Sequence, residues 1–174
     1  MASILVLTLE FRTGPHFLPA QPWLSSSANH SFLPCLESLT IQNCGGLAEV
    51  ANLPPSIKTL KISGCGNLPS LSGQLDALQT LVIDDCRGLK SLESCLGRLP
   101  SLEALHLYSC SSLQSLPNGP QAYPSLKALS IRSCPGIKLL PTSLQQRLDH
   151  LQEKWLDTRY QGNRQFSFSF HLIK

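Results

Sequence analysis

Five cysteines stand at intervals of 21, 21, 24 and 24 residues: Cys44, Cys65, Cys86, Cys110 and Cys134. Thiolates are the metal ligands and redox centres of proteins, so a regular column of them raises zinc binding or redox sensing as candidate chemistries. The spacing argues against zinc, because structural zinc sites draw ligands from close C-x-x-C pairs and none is present. The alternative is a buried thiol packed as a small hydrophobe. If these residues lie on adjacent strands about 4.8 Å apart, neighbouring thiols are also within disulfide range, and oxidative cross-linking in vitro is expected. A second constellation is Asp84, His106 and Ser130, which fall on three successive segments of one pattern and could in principle line up as a Ser-His-Asp set. The sequence offers no nucleophile elbow or oxyanion hole to complete it. No phosphate-binding glycine loop occurs, since Gly64-Cys65-Gly66 opens no helix.

What must position these residues is a repeat. The unit L-x-x-L-x-(L/I)-x-x-C-x-x-L-x-x-L runs through Leu36, Leu39, Ile41, Cys44, Leu47, Val50; Ile57, Leu60, Ile62, Cys65, Leu68, Leu71; and Leu78, Leu81, Ile83, Cys86, Leu89, Leu92. It continues through Leu102, Leu105, Leu107, Cys110, Leu113, Leu116 and ends with Leu126, Leu129, Ile131, Cys134, Ile137, Leu140. Its period and its 34 leucines in 174 residues identify a leucine-rich repeat. Within each unit x-L-x-(L/I)-x alternates with period two, the pattern of a strand with one buried face. A further column, Leu33, Pro54, Leu75, Leu99 and Tyr123, falls on the returning limb. A lone unit buries too little to offset the ordering of its backbone, so the units must stack. The expected fold is a leucine-rich repeat solenoid of the α/β class, with a parallel concave sheet of five to six strands and a C-terminal capping helix.

The exposed positions of those strands become the concave surface. They read Ser38, Thr40, Gln42; Thr59, Lys61, Ser63; Thr80, Val82, Asp84; Ala104, His106, Tyr108; and Ala128, Ser130, Arg132. Solenoids use this face for recognition, and tyrosine and arginine are favoured at binding hot spots. Lys61, Asp84, His106, Tyr108 and Arg132 are therefore the candidate partner-binding residues.

The ends depart from the period. Residues 1–31 form an irregular N-terminal segment in which Ile4 to Phe11 has the makings of a strand, one degenerate earlier repeat. Residues 13–31, with three prolines and Ser25-Ser26-Ser27, read as a loop. Residues 32–141 hold the five repeats. Residues 142–174 form the cap and tail: Leu144, Leu148, Leu151 and Trp155 follow helical spacing, Thr142 and Gln145 suggest a capping box, and Phe166, Phe168, Phe170 and Leu172 alternate as in an added strand or a tail.

Composition excludes several function classes. A net charge of +3 without a basic run gives no nucleic-acid footprint. No apolar stretch approaches the ~18 residues of a membrane span, and Met1 to Leu9 lacks a basic n-region. Seven cysteines leave one over from any full set of disulfides, which favours a reducing compartment, cytosol or nucleus. The Asn29-His30-Ser31 sequon would matter only in a secreted chain. Neither a cofactor, a metal nor a small-molecule substrate is expected.

Phrases such as Leu36-Glu37-Ser38-Leu39-Thr40-Ile41-Gln42-Asn43-Cys44 and Ser115-Leu116-Pro117 make the region 33–141 resemble the C-terminal leucine-rich repeats of plant intracellular nucleotide-binding (NLR) disease resistance proteins. The L-x-G-x-I-P unit of extracellular plant repeats is absent. The resemblance implies a non-enzymatic interaction domain that recognises a pathogen effector or a guarded host protein, or restrains the receptor's own nucleotide-binding domain. No nucleotide-binding module is present in these 174 residues, so nucleotide binding and signalling do not carry over. Two alternatives are a free-standing decoy or remnant repeat protein and the substrate-recognition repeats of a ubiquitin-ligase adaptor. The latter needs a short helical adaptor-binding box, which residues 1–31 do not show. A hydrolase built on the Asp84, His106 and Ser130 set is a remote third.

Overall fold

A computed structural model describes residues 5–10, 35–73, 75–92, 99–119 and 122–160. Its main sheet contains strands β1 (Leu5–Glu10), β2 (Leu36–Gln42), β4 (Thr59–Ser63), β6 (Thr80–Asp84), β7 (Ala104–Tyr108), β8 (Ala128–Arg132) and β9 (Glu153–Leu156), in that order and all parallel. Two short strands on the returning limb, β3 (Val50–Leu53) and β5 (Leu71–Gly73), pair with each other. The molecule is a leucine-rich repeat solenoid, its successive coils stacked strand upon strand.

The framework side chains form ladders. Leu39, Leu60, Leu81, Leu105 and Leu129 are register partners, as are Ile41, Ile62, Ile83, Leu107 and Ile131. Every framework position of the five repeats is buried except Leu47, which is half-buried at the N-terminal end of the stack. Since strand register is unbroken across units of different length, the three extra residues of the longer units must sit on the return. Leu71 and Leu75 are four apart, whereas Leu92 and Leu99, like Leu116 and Tyr123, are seven apart. Of the returning-limb column, Leu75, Leu99 and Tyr123 are buried, Pro54 is half-buried, and Leu33 lies outside the described residues.

Each strand ends in the same turn. Asn43, Gly64, Asp85, Ser109 and Ser133 all take positive φ, between 48° and 64°, a region tolerated best by glycine and by short polar side chains. The turn aims each backbone N–H at the next coil: Asn43 donates to the Ser63 carbonyl, Gly64 to Asp84, Asp85 to Tyr108 and Ser109 to Arg132, at 2.8–3.0 Å. One residue later comes the framework cysteine. Each thiol donates back to the last carbonyl of its own strand, from Cys110 to Tyr108 at 3.1 Å to Cys65 to Ser63 at 3.5 Å. A small donor that is otherwise apolar suits this buried corner. Burial pushes the Cys44 thiol up to about 12, and Cys86 and Cys110 are raised by hydrogen bonds shared with Cys65 and Cys134 and then by burial. Cys65 and Cys134, the acceptors of those pairs, shift the other way. The cysteine column is thus a buried packing element. Its thiols are free, and among the described residues no group of three or more His, Cys, Asp or Glu could hold a metal.

The two ends compare differently with expectation. At the N-terminal end, Ile4 to Phe11 does contain a strand: β1 adds to β2 in parallel, with Leu7 opposite Leu39. The loop expected at 13–31 and the alternating segment at 165–172 lie outside the described residues. At the C-terminal end the expected helix is cut short. Helix α1 covers only Thr142–Arg147, a 3-10 turn follows at Leu148–His150, and Trp155 lies on β9. The open edge of β8 wins over helical spacing, because Glu153–Leu156 satisfies backbone groups of Ala128–Ile131 that a longer helix would leave bare. This seventh strand takes the sheet beyond the five to six expected. Nor is there a capping box: Pro141 is the N-cap, Thr142 is already helical, and the Gln145 side-chain amide donates to the Leu140 carbonyl at 2.7 Å.

Candidate interaction surface on the concave sheet

Strand register sets the concave side chains in three rows. One row runs Ser38, Thr59, Thr80, Ala104, Ala128 and Glu153. The middle row runs Thr40, Lys61, Val82, His106, Ser130 and Trp155, and the third Gln42, Ser63, Asp84, Tyr108 and Arg132. The N-terminal half of the face is therefore hydroxyl-rich and nearly featureless. The C-terminal half collects an imidazole, a phenol, an indole and a guanidinium.

Those four groups are organised in pairs. The rings of His106 and Tyr108 stack at 6.2 Å with 13° between planes, and the Tyr108 hydroxyl lies 3.4 Å from His106 Nδ1. On the next two strands the Arg132 guanidinium lies 5.3 Å from the centre of the Trp155 ring, a cation–π contact that also fixes the plane of the guanidinium. Trp155 remains 59% exposed. Ser130, between His106 and Trp155 in its row, is buried. Burial at His106 holds its pKa below the ordinary value near 6.5, against a smaller upward pull from Glu153, so the ring is neutral at pH 7.

Of the five residues singled out from the sequence, His106, Tyr108 and Arg132 come together. Asp84 lies beside Tyr108 in the same row. Lys61 stands apart, two strands from His106, among Thr40, Thr59 and Val82. The Ser-His-Asp arrangement does not assemble, because the residue beside His106 on β6 is Val82 and Asp84 is a row away. Sequence reasoning missed Trp155, placing it on a helix. The sequence carried no contrary signal, since Trp155 keeps helical spacing from Leu151 and the run Gln152-Glu153-Lys154 between them favours helix.

The last coil is closed by side chains. Ser133, the final member of the turn column, has no further coil carbonyl to meet; its N–H donates instead to Asp157 Oδ2 at 2.9 Å. The Tyr160 hydroxyl bonds the Cys134 and Ile137 carbonyls at 2.9 and 3.0 Å, and burial raises its pKa to about 12. Arg147 donates to the Leu126 carbonyl at 3.2 Å. The segment that carries Trp155 is thereby anchored at both sides.

No family model matches the chain, and neither a curated protein nor a solved structure shows significant similarity to it. No helix among the described residues is long and apolar enough to cross a membrane.

Proposed function

We propose that the chain is a protein-interaction domain that works through the C-terminal half of its concave sheet. The observation that carries this reading is an indole 59% exposed on a concave surface, held in place by a stacked guanidinium and flanked by a His-Tyr pair. Exposing a large aromatic to water costs free energy in the unbound protein that a partner recovers on covering it. Tryptophan, tyrosine and arginine are also the side chains that most often dominate binding energy, and here they are already ordered, so little entropy is lost on contact.

The biological setting follows the resemblance of the repeats to those of plant intracellular NLR disease resistance proteins. In that setting the partner is a protein: a pathogen effector, a guarded host protein or the receptor's own nucleotide-binding domain, met in the cytosol or nucleus. The domain acts by binding and carries no chemistry of its own. The test is capture from plant extract, with the double variant Tyr108→Ala, Arg132→Ala set against the native chain. Capture should fall at least tenfold while Tm stays within a degree or two, since neither side chain is part of the core. Equal capture by both proteins contradicts the assignment of these residues.

A further inference from the structure

We infer that Asn118-Gly119 is a self-modification site, at which the chain converts its own asparagine to aspartate and isoaspartate and so alters the loop that meets the C-terminal cap. Of the six asparagines in the chain, Asn118 alone precedes a glycine. The reaction requires the backbone nitrogen after an asparagine to reach that residue's Cγ, and a side chain on the following residue obstructs the approach. Gly119 presents no such obstacle. It takes φ 146°, a region natural to glycine, and a Cβ placed there would meet no atom within 4 Å. Among the described residues its N–H has no acceptor, while its carbonyl accepts the Ala122 N–H at 3.1 Å. Other asparagines are hindered. The Asn67 amide donates to the Gly45 carbonyl at 2.5 Å and is followed by the buried Leu68, and Asn43 is followed by the buried Cys44. Asn118 is exposed, and its Oδ1 accepts only long bonds from Ser143, 3.2 Å from the hydroxyl and 3.5 Å from the N–H, so its amide is weakly held.

The chemistry needs only water. The Gly119 nitrogen gives its proton to solvent base and attacks Asn118 Cγ; the new C–N bond closes a succinimide, and the side-chain nitrogen leaves as ammonia with a proton from water. Water then adds to one of the two imide carbonyls. Breaking the bond from nitrogen to Cγ restores the main chain and leaves aspartate, whereas breaking the bond to the main-chain carbonyl carbon leaves isoaspartate, with the chain now running through Cβ and Cγ. The two products differ in what they keep. The aspartate side chain still presents oxygens to the Ser143 donors, with a charge that suits them. Isoaspartate adds a methylene to the main chain after the buried Pro117 and carries its free carboxylate on Cα, off the path to Ser143. Ser143 is the second residue of α1, so this contact between the loop and the cap is lost.

Ageing of the full chain in mildly alkaline buffer with reductant, followed by mass analysis of the tryptic peptide 99–127, tests this. The expected result is a shift of that peptide from the amide to the acid mass in two chromatographic forms, the larger of which accepts a methyl group from an isoaspartyl methyltransferase. Asn118→Gln, whose ring closure is far slower, should keep the amide mass. Thermal melts read the consequence. The aged native chain should melt below the fresh one, whereas fresh Asn118→Asp and aged Asn118→Gln should each melt where their own unaged or native counterparts do. An amide mass that persists in the folded chain while the same peptide free in solution converts, an acid form that accepts no methyl group, or an aged chain that melts with the fresh one overturns the proposal.

Discussion

At the C-terminal end of the sheet the last coil meets a set of side chains made to receive it: Asp157 takes the Ser133 N–H, Tyr160 takes two carbonyls, and Lys154 sits where a leucine would invite another strand. At the N-terminal end β1 has a half-buried Leu7 and an exposed Val6, and among the described residues no strand pairs beyond it. The middle coils need neither arrangement, since each is capped by its neighbour. Stability in a solenoid is a sum of local interfaces. The two ends therefore show how much a terminal coil depends on what is supplied in place of the missing neighbour, and they predict that the same substitution has different costs along the stack.

The largest effect is expected in the centre. Leu105→Ala removes a fully buried ladder residue between two intact coils and should cost about 2–5 kcal/mol, whereas Leu7→Ala on half-exposed β1 should cost well under half as much. Urea unfolding of both variants checks this, and equal losses would erase the distinction between centre and edge. Next come the sealing contacts. Tyr160→Phe removes the hydroxyl shared by the Cys134 and Ile137 carbonyls, of which Cys134 keeps the Ile137 N–H, and Asp157→Ala leaves the Ser133 N–H without its side-chain acceptor. Tyr160→Phe should cost about 1–3 kcal/mol, and Asp157→Ala, whose hydrogen bond is exposed, about 0.5–1.5 kcal/mol. A Tm unchanged in both would mean that solvent serves the last coil as well as the cap does.

The smallest effect is a pH dependence. His106 binds its proton less readily when folded than when unfolded, so its contribution is intact above the ordinary histidine value near 6.5 and is lost as pH falls below it. Chemical denaturation at pH 7.5 and pH 5 should show a loss of stability at the lower pH that His106→Gln reduces. A loss of the same size in that variant would assign the dependence to other groups.

The ladders were legible because every copy of the repeat repeats the same physical demand: an apolar side chain inward at fixed offsets, and a small donor at the turn. That is why Leu39 to Leu129 and Cys44 to Cys134 could be placed before any coordinates. The cap was not legible. Its residues answer needs created by tertiary stacking, and nothing local marks Asp157 as a substitute for a coil carbonyl or Trp155 as the neighbour of Arg132. Local propensity pointed the other way, since Gln152, Glu153 and Lys154 favour helix and the unsatisfied edge of β8 draws Glu153 and Lys154 into a strand. The candidate surface was legible by half for the same reason. His106, Tyr108 and Arg132 sit on repeat strands, whereas the indole that completes the patch arrives on the cap.

Amide hydrogen exchange, followed strand by strand, tests the contrast between the ends most directly. The account predicts that protection is low in β1, rises to a plateau by β4, and persists through β8 to the Ser133 amide, because the sealing contacts among the described residues lie at the C-terminal end. Protection that falls away equally toward both ends, or a Ser133 amide that exchanges as fast as those of β1, would contradict it.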